Sequence, residues 1–120
     1  MGHGARHDVS EYEVSVSGDF PFSERFRVAG EDWVDKESAA QLLEDTKSAI
    51  MAQKQAALGD LPVNRAEQIV KASPEWEIYL HKIVEARKEA NLAKITMETE
   101  RLRFMENQSR EANARAEMKL

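Results

Sequence analysis

The chain has 120 residues, enough for one domain of ordinary size or for a small folded head carrying a long helix, and too few for two domains with separate cores. Cysteine is absent, which excludes disulfides, thiolate metal sites and cysteine nucleophiles, and no run approaches the roughly 18 apolar residues of a membrane span. The net charge of -5 hides an asymmetry: residues 1–85 hold nine Lys or Arg against sixteen Asp or Glu, whereas residues 86–120 hold eight against six, so the acidic total does not exclude an anionic partner at the C-terminal end.

The opening decapeptide MGHGARHDVS has no periodicity and reads as a disordered tail. From Glu11, EYEVSVSGDFPFSERFRV alternates Tyr12, Val14 and Val16 with Glu13, Ser15 and Ser17, and continues in the same parity through Phe20, Phe22, Phe26 and Val28. That alternation predicts a β-hairpin turning at SGDF, with Pro21 near the turn or on an edge because it lacks an amide donor. A two-stranded ribbon is marginal alone, so its aromatic face, with Trp33, is expected to lie on a helix.

Asp35 is a plausible N-cap with Glu37 in the first turn, and KESAAQLLEDTKSAIMAQKQAAL then sets Ala39, Leu42, Leu43, Ala49, Ile50, Ala56 and Leu58 on one stripe. A helix over 36–58 follows, stopped by Gly59 and Pro62, and a short helical elbow is expected at 64–71. ASPEW opens the last element, with Ser73 as N-cap and Pro74 at the first helical position, where its missing donor costs nothing. No Gly or Pro follows to the end of the sequence, so one helix over 74–120 is predicted, about 70 Å long at 1.5 Å per residue.

A 4-3 spacing runs along this helix through Tyr79, Ile83, Ala86, Ala90, Ala93 and Met97, the expected self-association seam; Leu80, Val84, Leu92, Ile95, Leu102 and Met105 form a second stripe beside it. One flank is expected to hold the helix over 36–58 while the other faces a second copy of the chain. The fold class expected is therefore mainly α with a small N-terminal β-hairpin (α+β), a helical hairpin that oligomerises through its long C-terminal helix. Its parts would be a tail over 1–10, a hairpin-plus-helix head over 11–72 and the long helix over 73–120.

Catalytic motifs are missing: the three histidines are scattered, and there is no glycine-rich phosphate loop, zinc-protease helix or nucleophile elbow. No enzyme, no cofactor, no metal and a soluble cytoplasmic location are expected. Arg87, Lys94 and Arg101 recur every seven residues and share a helix face, with Lys88 nearby and Arg103 beside Phe104. A cation next to an aromatic is the pairing with which single-strand binders neutralise phosphate and stack a base; pairing of these cations with neighbouring glutamates at i, i+4 would give a plain solvated helix instead.

Over Ser73 to Asn107, SPEWEIYLHKIVEARKEANLAKITMETERLRFMEN resembles the UvsY-type recombination mediators of phages, in the aromatic opening at Trp76, Tyr79 and Leu80 and in the basic-aromatic cluster Arg101, Leu102, Arg103, Phe104. The resemblance implies a ring-like homo-oligomer that binds single-stranded DNA and helps a recombinase displace a single-strand-binding protein. Lys94, Arg101 and Arg103 would then contact phosphates and Phe104 would stack or pack, with Arg87 and Lys88 as further candidate nucleic-acid contacts. Two other readings of the same residues are a protein-binding inhibitor or adaptor, such as a phage antagonist of a host nuclease or defence complex, and an assembly chaperone of a virion.

Overall fold

The computed structural model describes residues 21–119, and every described element is helical. Helix α1 spans Phe22–Asp45, α2 Lys47–Ala56, α3 Val63–Lys71 and α4 Pro74–Met118. The expected β-hairpin and the α+β class are overturned: 22–28, assigned to its second strand, is the start of α1, and 11–20 lies outside the described residues. The parity of Phe20, Phe22, Phe26 and Val28 is shared by two periods. Spacings of four and three through Phe22, Phe26, Ala29 and Trp33 are helical, and Pro21 is tolerated just before the first turn, where its carbonyl accepts the Arg25 amide at 3.0 Å. The predicted N-cap at Asp35 is consequently an interior residue of α1.

The expected helix over 36–58 is interrupted at Thr46, between α1 and α2. Its hydroxyl donates back to the Leu42 carbonyl at 2.9 Å, a contact that bends helices without a proline. The α2–α3 turn contains Gly59 at φ 84°, a left-handed conformation that a Cβ would strain. At the start of α4, the Ser73 hydroxyl accepts the Trp76 amide at 3.2 Å and donates to the Val70 carbonyl at 2.6 Å, so one side chain closes α3 and caps α4.

The chain divides into two compact units, which differ from the head-and-helix division read from the sequence. One comprises residues 33–92: the rest of α1, then α2, α3 and the first half of α4. Its core is built on small side chains, Ala40, Ala66 and Ala90 with Val70, and on one large one, Trp76, whose ring stacks on Tyr79 at a centroid distance of 5.5 Å. Ala40 and Ala90 are 0 % exposed, which requires neighbouring backbones to approach closely.

The other unit joins 21–32 to 93–119. Ala29 and Ala93 are buried, the Phe26 and Phe104 rings meet at 6.1 Å, and the Met97 side chain stands beside Gly30. From residue 108 to residue 119 every side chain of α4 is exposed.

Candidate functional site

Helix α4 carries every residue that the sequence singled out, and its two long faces differ. The inward face is the predicted self-association seam. In the 33–92 unit, Tyr79 donates its hydroxyl to the Leu43 carbonyl at 2.8 Å and lies 3.0 Å from the Thr46 hydroxyl, while Ile83 and Ala86 are half-buried and Ala90 is fully buried. In the 21–32 and 93–119 unit, Ala93 is buried and Met97 half-buried. All six therefore pack within their own chain.

The cations sort into three environments. Arg87 is clamped: its Nε and Nη2 donate to the two carboxylate oxygens of Glu44, both at 2.9 Å, and its Nη1 donates to Glu37 at 2.7 Å. The forked hydrogen bonds raise the guanidinium pKa and hold the Glu44 carboxyl below its ordinary value, chiefly through the Arg87 hydrogen bond. A guanidinium facing two carboxylates presents little net charge to a phosphate.

Arg103 donates to Glu100 at 3.3 Å, one turn back on the same helix. Glu100 is only 4 % exposed and also faces Arg25 of α1 at 3.3 Å, so two arginines neutralise one buried carboxylate. Around this group stand Phe22, 5.3 Å from the Arg25 guanidinium, and the Phe26–Phe104 pair. Phe104 is thus half-buried and packs on Phe26 of α1.

Lys88, Lys94 and Arg101 are exposed. Arg101 donates to the Met105 sulfur at 3.4 Å and has no carboxylate within ion-pair distance among the described residues. Of the six predicted DNA-contacting residues, Arg87 and Arg103 meet carboxylates and Phe104 packs on Phe26, while Lys88, Lys94 and Arg101 are exposed.

The outward face carries most of the second stripe, of which Leu80 is half-buried. Val84, Leu92, Ile95 and Leu102 each leave more than half of their surface in solvent, and Met105 about half. In the 33–92 unit, exposed Val84 and Leu92 stand among exposed Glu77, His81, Glu85 and Lys88, and in the other unit exposed Ile95 and Leu102 stand among exposed Thr99, Arg103, Glu106 and Arg110. The sequence contains both stripes; the signal that distinguishes them is the alanine content of the first, since alanine permits the close contacts of an intrachain helix pair.

A shallow groove of about 320 Å³ in the 33–92 unit is lined by Ile50, Lys54, Glu75, Ile78, Tyr79 and Lys82. Among the described residues no three His, Asp or Glu side chains come together as metal ligands, and no helix is long and apolar enough to cross a membrane. No family model, no curated protein and no solved structure matches the chain.

Proposed function

We propose that the protein is a non-enzymatic helical adaptor, which binds another protein through the outward face of α4. The observation that carries this reading is the exposure of Val84, Leu92, Ile95 and Leu102 along one side of one helix, in a chain whose inward face is already occupied. Apolar residues at the middle of a strip, ringed by charges of both signs, match a helix partner with its own apolar stripe, in which burial supplies affinity and the charges fix orientation.

Binding of single-stranded DNA in the manner of a recombination mediator is a second reading, supported by exposed Arg101. It is weakened by the carboxylates on Arg87 and Arg103 and by the packing of Phe104 on Phe26.

A photo-crosslinking amino acid placed at Leu102, and separately at Ala112 as an exposed control, separates the readings when the full chain is irradiated in its native cell. Covalent adducts to polypeptide from position 102 and far fewer from 112 are expected. Adducts to nucleic acid alone, or adducts indifferent to position, refute the adaptor reading. In parallel, titration of labelled single-stranded DNA at two salt concentrations with native protein and Arg101→Ala tests the second reading, which requires salt-dependent binding that the substitution weakens.

A further inference from the structure

The groove between α2 and α4 lies wholly within the 33–92 unit and is a surface apart from the outward face of α4. Its walls are Ile50 and Lys54 of α2 and Glu75, Ile78, Tyr79 and Lys82 of α4, around a volume of about 320 Å³. Residues 50 and 54 stand one turn apart, and 75, 78, 79 and 82 follow at helical spacing, so each helix contributes one face. At 100° per residue Ile78 and Val84 lie about 120° apart around α4, which separates the groove from the outward face.

We propose that this groove receives one face of an amphipathic helix from another protein, with apolar side chains of that helix on Ile50 and Ile78 and a carboxylate beside Lys82. This adds a second binding surface to the adaptor and does not depend on the outward face. The apolar floor is open, since Ile78 is 57 % exposed and Ile50 half-buried. The Tyr79 wall is already set: its ring stacks on Trp76 at 5.5 Å and its hydroxyl donates to the Leu43 carbonyl at 2.8 Å. An occupant therefore orders few side chains on arrival, which lowers the entropic cost of binding.

The two cations of the groove are unused. Lys71 of the same unit meets Glu67 at 2.6 Å and Arg87 meets Glu37 and Glu44, whereas Lys54 and Lys82 have no carboxylate within ion-pair distance among the described residues. Lys54 is half-buried, so its stem covers apolar surface while the ammonium reaches water. Along α4 the groove reads Glu75, Ile78, Lys82, and exposed Glu85 and Glu89 continue that flank beyond it. The carboxylate of the occupant is thereby directed to Lys82, past the apolar pair and away from Glu75.

Shape and charge together favour a helix over other occupants. A volume of about 320 Å³ in a shallow groove is at the low end for a small-molecule site and matches a few side chains on one face of a helix. The glutamates at positions 75, 85 and 89 on the same flank disfavour an anionic lipid surface or a nucleic acid, both of which need cations spread over the contact.

The test uses the full chain and, as probe, a fluorescein-labelled stapled helical peptide with two leucines one turn apart, a glutamate one turn further on, and alanine or glutamine elsewhere. Fluorescence anisotropy reads binding, and far-UV circular dichroism controls for folding. Affinity in the tens of micromolar is expected, and Ile78→Ala and Lys82→Glu, both at exposed positions, are each expected to weaken it about tenfold. A probe with lysine in place of its glutamate is expected to prefer the Lys82→Glu protein to the native one. Val84→Ala should leave binding unchanged.

Failure to saturate at about 500 µM, or equal affinity for a probe with serine in place of leucine, overturns the proposal. Loss of binding in Val84→Ala but not in Ile78→Ala would move the probe to the outward face, which overturns the groove and leaves the adaptor reading standing. Co-sedimentation of the native but not the Lys82→Glu protein with phosphatidylserine-containing vesicles, without peptide binding, would make the occupant a lipid surface and overturn the helix. A native protein that dimerises at tens of micromolar, and no longer does so as Lys82→Glu, would put a second copy in the groove and overturn a partner of another kind.

Discussion

Glu100 offers the sharpest test of how the 21–32 and 93–119 unit is held. Its side chain is 5 % exposed and that of Arg25 is 11 %, so Glu100→Leu removes the only carboxylate that Arg25 faces among the described residues and leaves a guanidinium nearly nine-tenths buried. Stranding one member of a buried pair costs about 3–5 kcal/mol. Arg103, half exposed, can turn to water and adds little to that cost. The Arg25–Glu100 contact itself is not tight: Nε and Oε1 stand 3.3 Å apart and neither has a well-directed hydrogen bond, against roughly 2.8 Å for a good charge-assisted one. The attraction therefore repays desolvation only in part, and an Arg25→Met/Glu100→Leu double variant is expected to recover most of the loss and to reach the native value within about 1 kcal/mol or exceed it. Urea unfolding followed by circular dichroism at constant m-value supplies the four corners of the cycle. A single Glu100→Leu change costing under 1 kcal/mol would refute the reasoning, because it would mean that Arg25 finds water in the folded state.

Three further predictions concern the 33–92 unit. Trp76→Ala removes its one large buried side chain and should cost about 3–5 kcal/mol, whereas Tyr79→Phe removes only the hydroxyl bonded to Leu43 and Thr46 and should cost about 1 kcal/mol; equal losses in chemical denaturation would contradict the assignment of Trp76 to the core. Ala90→Leu inserts three carbons where no surface is exposed and is expected to destabilise by about 1–3 kcal/mol, while Leu92→Ala on the outward face should stay within about 0.5 kcal/mol for the monomer, as differential scanning calorimetry at low concentration would show. Glu44 titrates below its ordinary 4.5 because Arg87 donates to it, so near pH 4 the unfolded chain binds more protons than the folded one. The stabilisation is complete above that value and is lost as pH falls through the folded pKa; Glu44→Gln should flatten this part of the acid limb, and an unchanged pH profile would show that the clamp does not form in solution.

Helix boundaries marked by special residues are legible in the sequence. Gly59 and Pro62 end α2 and start α3, the Ser73-Pro74 step opens α4, and the lack of any later breaker gives its full extent. The start of α1 is not legible, because Phe22, Phe26 and Val28 satisfy the strand period and the helix period alike over so few residues. What decides between them is nonlocal: Phe26 has Phe104 to pack on and Arg25 has Glu100, both more than seventy residues away. The candidate site was half readable. Both stripes of α4 are visible in the spacing, but which faces inward depends on the contacts of Tyr79 with Leu43 and Thr46, and the fate of Arg87 depends on carboxylates at positions 37 and 44 that no local pattern connects to it.

Thr46 separates α1 from α2 with no proline, glycine or left-handed residue at the joint, and its backbone stays close to helical. The amides of Thr46 and Ile50 still bond four residues back, to Leu42 and Thr46, while the Leu43 carbonyl accepts the Tyr79 hydroxyl. The joint is therefore a matter of two hydroxyls, those of Thr46 and Tyr79, and substitutions as small as Thr46→Val would remove one of them while keeping the side-chain shape. In evolutionary terms the direction of the chain at this point is adjustable by a single-atom exchange, a corner that sequences can open or close without rebuilding the helices on either side.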